Sequence, residues 1–303
     1  MDSAETHGFL IIDKPPGVTS FSMVALVRTL TGVRRVGHAG TLDPMASGVL
    51  PVAVGQAARF IEYMDDELKS YVARVRFGSA TDTYDAEGQP TSTGDAAGVD
   101  AAAVAAALPA FVGQIEQTPP VYSALKVSGK PLYRYAREGA AVAVASRMVY
   151  VEHAALLSFD AGEAEIEVRC GKGTYIRSIA HDLGQRLGGG AHLSALRRTA
   201  TGGFTLADAR PPGELRALAN EGRLDDALLA LDRAVERRPA AIFDRDHTVD
   251  LRCGRDVAFE PAARADLCRA YSAEGDFLGV LRQGEGWLWH PEKVVPAGPQ
   301  QVK

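Results

Sequence analysis

The sequence predicts an α+β fold for most of the chain, followed by a small all-β domain. Segments with strand alternation and segments with helical period are mixed without a regular strand-helix-strand order, which disfavours a doubly wound sheet. After the linker-like residues 236–239 the character changes to short strand-like runs separated by turns. The 303 residues correspond to about two domains of ordinary size. We therefore predict one domain over residues 1–238 and a second over 239–303.

The first elements are marked by turn and capping residues. Residues 8–13 (GFLIID) predict a short strand that ends at the KPPG turn. Thr19 or Ser20 can then cap a helix that continues to about Leu30. Residues 71–77 (YVARVRF) alternate polar and apolar side chains, which is typical of a half-buried strand.

The later elements follow from the same signals. Asp100 predicts the cap of an alanine-rich helix that ends near Pro109. Residues 163–169 alternate as a strand, and residues 175–187 have helical period until a glycine run ends it. Residues 208–234 predict an acidic helix. The C-terminal strands are predicted at 241–243, 257–259, 267–271, 277–281 and 286–290.

Composition excludes several classes of protein. With 46% hydrophobic and 23% charged residues, the chain can bury a sizeable core without metals or disulfides. Cys170, Cys253 and Cys268 fit neither a disulfide framework nor a zinc motif, so we expect a reducing compartment. The N-terminus lacks a signal-peptide pattern, and the longest apolar stretch, 101–112, is too short for a bilayer. We expect a cytoplasmic protein with no membrane association.

The charge is unevenly distributed. The net charge is -5, yet residues 119–147 hold five basic residues against one acid. Residues 169–198 hold six basic residues against Asp182. This predicts a basic face that could contact a polyanion, although an ordinary solvated surface explains the charge counts equally well.

The densest motif is VGHAGTLDPMASGVLP at residues 36–51. Pro44 favours an extended conformation at Asp43, and Gly37 and Gly40 let the backbone approach a ligand closely. Such a loop could project the Asp43 carboxylate into a cleft, although an Asx-turn is the commoner use of an aspartate here. The chain lacks GxGxxG, Walker A, GxSxG and HExxH patterns, which gives no support to nucleotide-triphosphate, serine hydrolase or zinc protease chemistry.

Seven motifs in order then resemble one family, the bacterial TruB-type tRNA pseudouridine synthases. The resemblance covers residues 8 to 204, and the C-terminal β domain resembles the PUA-type RNA-binding module. The motifs are GFL with DKP and GVTS, GHAGTLDPMASGVL, KSY, TDTYDAEG, PPVYSALKVSGKPLYRYAREG, GKGTYIRS, and LRR with GGF.

The resemblance implies a function: conversion of uridine to pseudouridine at position 55, in the T loop of tRNA. It implies a catalytic domain with a mixed, largely antiparallel central sheet flanked by helices. Residues 119–147 would form a basic flap over the T arm. No cofactor and no metal is implied, nor an obligatory protein partner, and we expect a monomer.

The resemblance also assigns site residues. Asp43 would be the nucleophile, with Tyr71 and Arg177 as further catalytic residues. The substrate-binding residues would be His38, Tyr71, Tyr175 and Leu196. These types suit the reaction, because a guanidinium can pair with a carboxylate in a dry pocket and a tyrosine can stack on a flipped base. Asp82 and Asp85 are expected to shape a turn and to support the residues that contact the substrate, and they are given no catalytic role.

Alternative functions remain open from the sequence. One is an RNA-guided pseudouridine synthase, which the long flap disfavours. Another is a noncatalytic tRNA-folding chaperone, which would also use a basic face and a C-terminal RNA-binding module. A nucleoside hydrolase or base glycosylase would need a second carboxylate to hold water, and the motifs offer no obvious one.

Overall fold

The computed structural model describes residues 6–64, 68–123, 125–127, 129–138, 142–261 and 264–296. These residues form six α-helices and 19 strands. The helices are α1 (Ser20–Thr31), α2 (Ala101–Ala107), α3 (Leu132–Arg137), α4 (Ile176–Leu187), α5 (Pro212–Asn220) and α6 (Arg245–Arg252). The strands are β1 (Gly8–Lys14), β2 (Val36–His38), β3 (Ser47–Val54), β4 (Lys69–Phe77), β5 (Ser79–Thr81), β6 (Pro90–Thr93), β7 (Gly113–Gln117), β8 (Lys126–Val127), β9 (Lys130–Pro131), β10 (Arg147–Asp160), β11 (Glu163–Cys170), β12 (Ala191–Thr201), β13 (Phe204–Thr205), β14 (Leu228–Leu229), β15 (Ala240–Phe243), β16 (Val257–Ala258), β17 (Leu267–Ser272), β18 (Phe277–Gln283) and β19 (Leu288–Val294).

A ten-stranded sheet organises the larger part of the molecule. Its order is β14-β1-β3-β12-β4-β11-β10-β7, with β13 paired to β12 and β2 paired to β3. Within the described residues its pairs are antiparallel except the short parallel contact of β12 with β3. The predicted α+β class and the mixed, largely antiparallel sheet are confirmed.

The first strand shows why an uninterrupted apolar run forms here. Leu10 and Ile12 enter a core with the buried faces of α1, α2 and α4. Phe9 and Ile11 point to the opposite face, into a second core that includes residues of the C-terminal sheet. Both faces of β1 are covered, so the strand is apolar at successive positions rather than alternating.

Local signals placed several helix ends correctly. Thr19 accepts a hydrogen bond from the Ser22 backbone and caps α1, and Asp100 does the same for α2.

The predicted helix over 208–234 is wrong in extent, because α5 ends at Asn220 and a left-handed Gly222 follows. The chain then continues through short 3₁₀ turns and β14.

The C-terminal region forms a five-stranded sheet of order β15-β17-β18-β19-β16. Its strands match the predicted short strands, but the sequence did not predict α6, whose segment RDHTVDLR is mostly polar. The sheet packs on the larger one through Phe60 and Phe277, with ring centroids 5.6 Å apart. Arg59 Nη1 also donates to the Val294 carbonyl at 2.7 Å.

Among the described residues, no helix combines the length and the apolar character needed to cross a membrane.

Candidate active site

A cavity of about 230 Å³ opens where the loop before β3, strands β4 and β12, and the start of α4 meet. Its lining includes Asp43, Tyr71, Tyr175, Arg177 and Leu196, five of the six residues assigned from the sequence. Gly40, Lys69, Thr174 and Arg198 also contribute. The long-range strand order therefore gathers side chains that are far apart in the sequence.

The backbone on both sides of Asp43 is fixed by buried donors. Ser20 Oγ donates to the Leu42 carbonyl at 3.0 Å and accepts from the Leu42 amide at 2.8 Å. On the other side, the Pro44 carbonyl accepts from the Gly17 amide at 2.8 Å and from Lys14 Nζ at 3.2 Å. The loop therefore presents the half-buried Asp43 carboxylate at a defined place in the cavity wall.

Arg177 lies between two carboxylates. Its Nε is 2.9 Å from Asp43 Oδ2, a close ion pair in which the N–H is not aligned for a hydrogen bond. Its Nη1 is 3.3 Å from Asp85 Oδ2 and donates to the Thr83 carbonyl at 3.2 Å. The Arg177 side chain is only 6% exposed, so solvent screens these contacts weakly. Asp85, which the sequence analysis treated as a turn residue, thus contacts the arginine that faces Asp43.

Tyr71 lies directly opposite Arg198 in the antiparallel pairing of β4 with β12, and the Arg198 guanidinium lies close to the Tyr71 hydroxyl. Burial raises the pKa of Tyr71, and the positive charge of Arg198 opposes that rise. Arg198 is completely buried, and its Nε and Nη2 donate to the carbonyls of Val49 at 2.7 Å and Gly40 at 3.0 Å. A Cβ at Gly40 would lie 3.3 Å from Arg198 Nη1, and the φ of +79° there also favours glycine.

Two of the remaining assigned residues form walls of the cavity. Leu196 is 8% exposed and lies on β12, two positions before Arg198. Tyr175 immediately precedes α4, where the buried Gln117 side chain accepts from its amide at 2.8 Å and donates to its carbonyl at 3.1 Å. The Arg147 guanidinium lies over the Tyr175 ring, 5.1 Å from the centroid.

His38 lies outside the lining of the cavity. It belongs to β2, opposite Val52 of β3, and is half-buried. Burial lowers its pKa, and the nearby Arg198 lowers it further. The neutral imidazole is therefore favoured at this position.

The predicted flap is described in part, since residues 124, 128 and 139–141 lie outside the described residues. Strands β8 and β9 form a two-stranded hairpin, and α3 follows. Lys130 lies 4.6 Å from the Tyr135 ring centroid and pairs with Glu138. Part of the basic charge counted in the sequence is thus offset within the segment itself.

Sequence reasoning assigned no role to Lys14, Gln117 or Arg198. Lys14 is fully buried, and burial lowers its pKa to about 8, although the charge of Asp43 opposes that change. A lysine directly after the apolar run FLIID was the available signal, because such a side chain needs buried acceptors. The partners of Gln117 and Arg198 depend on strand pairing, which no local pattern indicates.

Comparison with known proteins places the chain among the pseudouridylate synthases. The model of the "TruB family pseudouridylate synthase (N terminal domain)" matches residues 28–176, and that of the "tRNA pseudouridylate synthase B C-terminal domain" matches residues 177–236. The chain belongs to the TruB family.

Full-length relatives and a solved structure agree with this placement. A protein of Dehalococcoides mccartyi named "tRNA pseudouridine synthase B" is 41% identical over 95% of this chain and 96% of its own length. One of Thiobacillus denitrificans with the same name is 42% identical over 93% of each chain. A "Crystal Structure of a Cbf5-Nop10-Gar1 Complex" superposes with a TM-score of 0.74 at 27% identity, covering 95% of this chain and 85% of that one.

Proposed function

We propose that this protein isomerises uridine 55 in the T loop of tRNA to pseudouridine. The main support for this proposal is the position of the Asp43 carboxylate, which faces the cavity and pairs at 2.9 Å with the buried Arg177. Relatives named "tRNA pseudouridine synthase B", which this chain matches over nearly their whole length, support tRNA as the substrate.

The cavity suits a single flipped nucleotide base. Its volume of about 230 Å³ is below the roughly 300–1,000 Å³ of pockets for drug-sized ligands. Taking a base out of a folded loop costs a few kcal/mol, which contacts to the base must offset. Tyr71 supplies an aromatic face, while Leu196 and Tyr175 supply apolar walls.

The isomerisation needs no net change in atoms or electrons. The bond from uracil N1 to ribose C1′ breaks, the uracil turns, and C5 bonds to C1′. The hydrogen on C5 leaves as a proton and N1 gains one. Asp43 acts as the nucleophile, at C1′ or at uracil C6, and Arg177 balances its charge away from bulk water. We assign Tyr71 to the stack on the base and to the path of the C5 proton.

The remaining assignments belong to the same proposal. His38 contacts RNA outside the flipped base, in keeping with its place beyond the cavity lining. A catalytic domain over residues 1–238 with the basic flap at about 119–147 is joined to a PUA-like RNA-binding domain over 239–303. The second sheet, which begins at Ala240, supports this division.

We also propose a monomer that works in the cytoplasm without an obligatory protein partner. Cys170, Cys253 and Cys268 are free thiols, the usual state in a reducing compartment. Light scattering of the purified protein, with activity followed on dilution, tests the oligomeric state.

The experiment is tritium release from an unmodified tRNA transcript labelled at uridine C5. The protein is supplied without metal, nucleotide or guide RNA. We expect release from the T-loop uridine, and none from a transcript with cytidine at position 55. Asp43→Asn should abolish release while tRNA affinity stays within about tenfold, or roughly 1.4 kcal/mol. The matched control is Asp250→Asn, an arginine-paired aspartate outside the cavity lining that is 39% exposed against 37% for Asp43, and it should keep release near the wild-type rate.

Each failure has a distinct meaning. Tight tRNA binding without release would favour the chaperone alternative. Release that requires a guide RNA would favour the RNA-guided alternative. The likeness to the Cbf5-containing structure is a reason to test that alternative. Full turnover by Asp43→Asn would remove Asp43 from the mechanism.

A further inference from the structure

Tyr84 has an unusual backbone conformation beside the site. Its φ is +63°, and it is one of two non-glycine residues with positive φ among those described. A bulky residue in the left-handed region is strained by roughly 1–2 kcal/mol, which the surrounding structure must offset. A glycine would adopt this φ without strain, so the tyrosine side chain calls for a structural reason.

The reason lies on α4. The Tyr84 ring stacks on His181, with centroids 3.9 Å apart and planes 14° from parallel. His181 follows Arg177 by four residues, so the two side chains lie one turn apart on the same helix face. The His181 Nδ1 is buried and makes no hydrogen bond to the described residues. Burial lowers the pKa of His181, which favours the neutral ring in the stack.

The residues on either side of Tyr84 both contact Arg177. The Thr83 carbonyl accepts from Nη1 at 3.2 Å, and Asp85 Oδ2 lies 3.3 Å from the same atom. Asp85 Oδ1 accepts from Thr83 Oγ1 at 2.6 Å and from the Glu87 amide at 3.1 Å, which makes the turn a single unit. The turn is therefore joined to α4 twice, by the Arg177 contacts and by the ring stack one helical turn away.

We propose that Tyr84 and His181 are positioning residues for the isomerisation. Their stack holds the turn of Thr83 and Asp85 against α4 and so fixes the Arg177 guanidinium against Asp43. Both rings lie outside the cavity lining, so they act through Arg177 and not on the base. This inference rests on the proposed function, because its effect is a change in the rate of that reaction.

Paired substitutions separate the ring from the backbone. Tyr84→Asn removes the ring but tolerates a positive φ, and His181→Ala removes the other ring. Tyr84→Phe and His181→Phe keep an aromatic pair and serve as matched controls. The readouts are the single-turnover rate at saturating enzyme and the Kd for unmodified tRNA.

We expect the ring-removing variants to slow turnover about three- to tenfold, the effect of losing one aromatic pair. The tRNA Kd should stay within twofold, and both phenylalanine variants should turn over at the wild-type rate. A wild-type rate in Tyr84→Asn and His181→Ala would overturn the proposal, whatever their melting temperatures.

A mutant cycle tests the route through Arg177. In an Asp85→Asn background the ion pair between the turn and Arg177 is already lost. His181→Ala should then slow turnover by less than a further twofold. Multiplicative effects of the two changes would also overturn the proposal. Failure of the proposed function looks different, because the wild-type protein would then release no tritium from tRNA.

Discussion

Two buried arginines line the cavity, and their charges are matched by different kinds of partner. Arg177, from α4, faces two carboxylates, Asp43 and Asp85. Arg198, from β12, faces the Tyr71 hydroxyl and the carbonyls of the Val49 and Gly40 backbone. No carboxylate of the described residues lies within ion-pair distance of Arg198.

The difference separates two tasks. The charge of Arg177 is matched by two carboxylates, and one of them, Asp43, is the nucleophile that we propose. The charge of Arg198 is buried against neutral oxygens, which fix its geometry and that of the loop and strand it joins. We therefore expect changes at Arg177 to act mainly on the rate, and changes at Arg198 to act mainly on stability.

The largest effect should come from Arg177→Lys, which keeps the charge but loses the planar fork. An ammonium cannot place one nitrogen on Asp43 and another on Asp85. We expect single-turnover rates to fall about 100- to 1,000-fold, the usual cost of losing a preorganised electrostatic contact. Tritium release measures the rate, and filter binding should show tRNA affinity changed by less than about fivefold.

The control for that prediction is Arg186→Lys, at an exposed arginine in the last turn of the same helix. It should leave the rate unchanged. If Arg177→Lys turned over at the wild-type rate, charge alone would suffice and the distinction drawn between the two arginines would fail.

Arg198→Met should slow the reaction less than Arg177→Lys does, and it should also lower the stability of the fold. The change leaves the carbonyls of Val49 and Gly40 without the donors that Arg198 provides, at a cost of about 1–3 kcal/mol in the free energy of unfolding. The pKa of Tyr71 should rise further, because the charge that opposes the effect of burial is gone. We expect turnover to fall about tenfold. Urea unfolding and single-turnover rates on the same samples measure both effects.

The neighbouring Arg197 provides the comparison. It pairs with Asp13 at 2.8 Å and is 41% exposed. Arg197→Met should therefore cost less than about 1 kcal/mol, as exposed ion pairs do. Equal losses of stability for the two methionine variants would show that the buried contacts of Arg198 contribute no more than a surface pair.

The comparison also shows what the sequence could predict. The caps at Thr19 and Asp100 and the helix that carries Arg177 depend on neighbouring residues, so local patterns located them. The partners of Arg198 depend on the register of β12 with β4 and β3, whose residues are more than 100 positions away. Resemblance to a family indicated which residues matter, but only the fold shows that Asp85 and Thr83 share Arg177.

The same reasoning explains one helix that the sequence did not predict and one that it predicted too long. Helix α6 is short and polar, so it lacks the apolar period by which helices are recognised. Residues 208–234 do have the pattern of a helix. The helix nevertheless ends at Asn220, shortly before Gly222, whose φ is +70°. A lysine directly after an apolar strand indicates that buried acceptors are needed, but it does not specify the three carbonyl groups that Lys14 contacts.

The last prediction concerns Lys14, a buried cation that resembles Arg198 because carbonyl oxygens accept its hydrogen bonds. Its Nζ donates to the carbonyls of Pro15, Val18 and Pro44, at 3.0, 2.7 and 3.2 Å. Burial lowers its pKa from 10.5 to about 8. Above pH 8 the folded protein therefore loses this proton while the unfolded chain keeps it, so stability relative to Lys14→Met should rise with pH.

The difference in unfolding free energy between wild type and Lys14→Met should be flat below pH 8 and climb by at most about 1.4 kcal/mol per pH unit up to pH 10. Urea titrations of both proteins measure it, because other titrating groups largely cancel. Asp43→Asn removes the charge that raises the Lys14 pKa, so in that background the climb should begin below pH 8. A difference that stays flat to pH 10 would mean that Lys14 keeps its proton. Three carbonyl oxygens would then suffice to keep a buried ammonium charged without a carboxylate in contact with it.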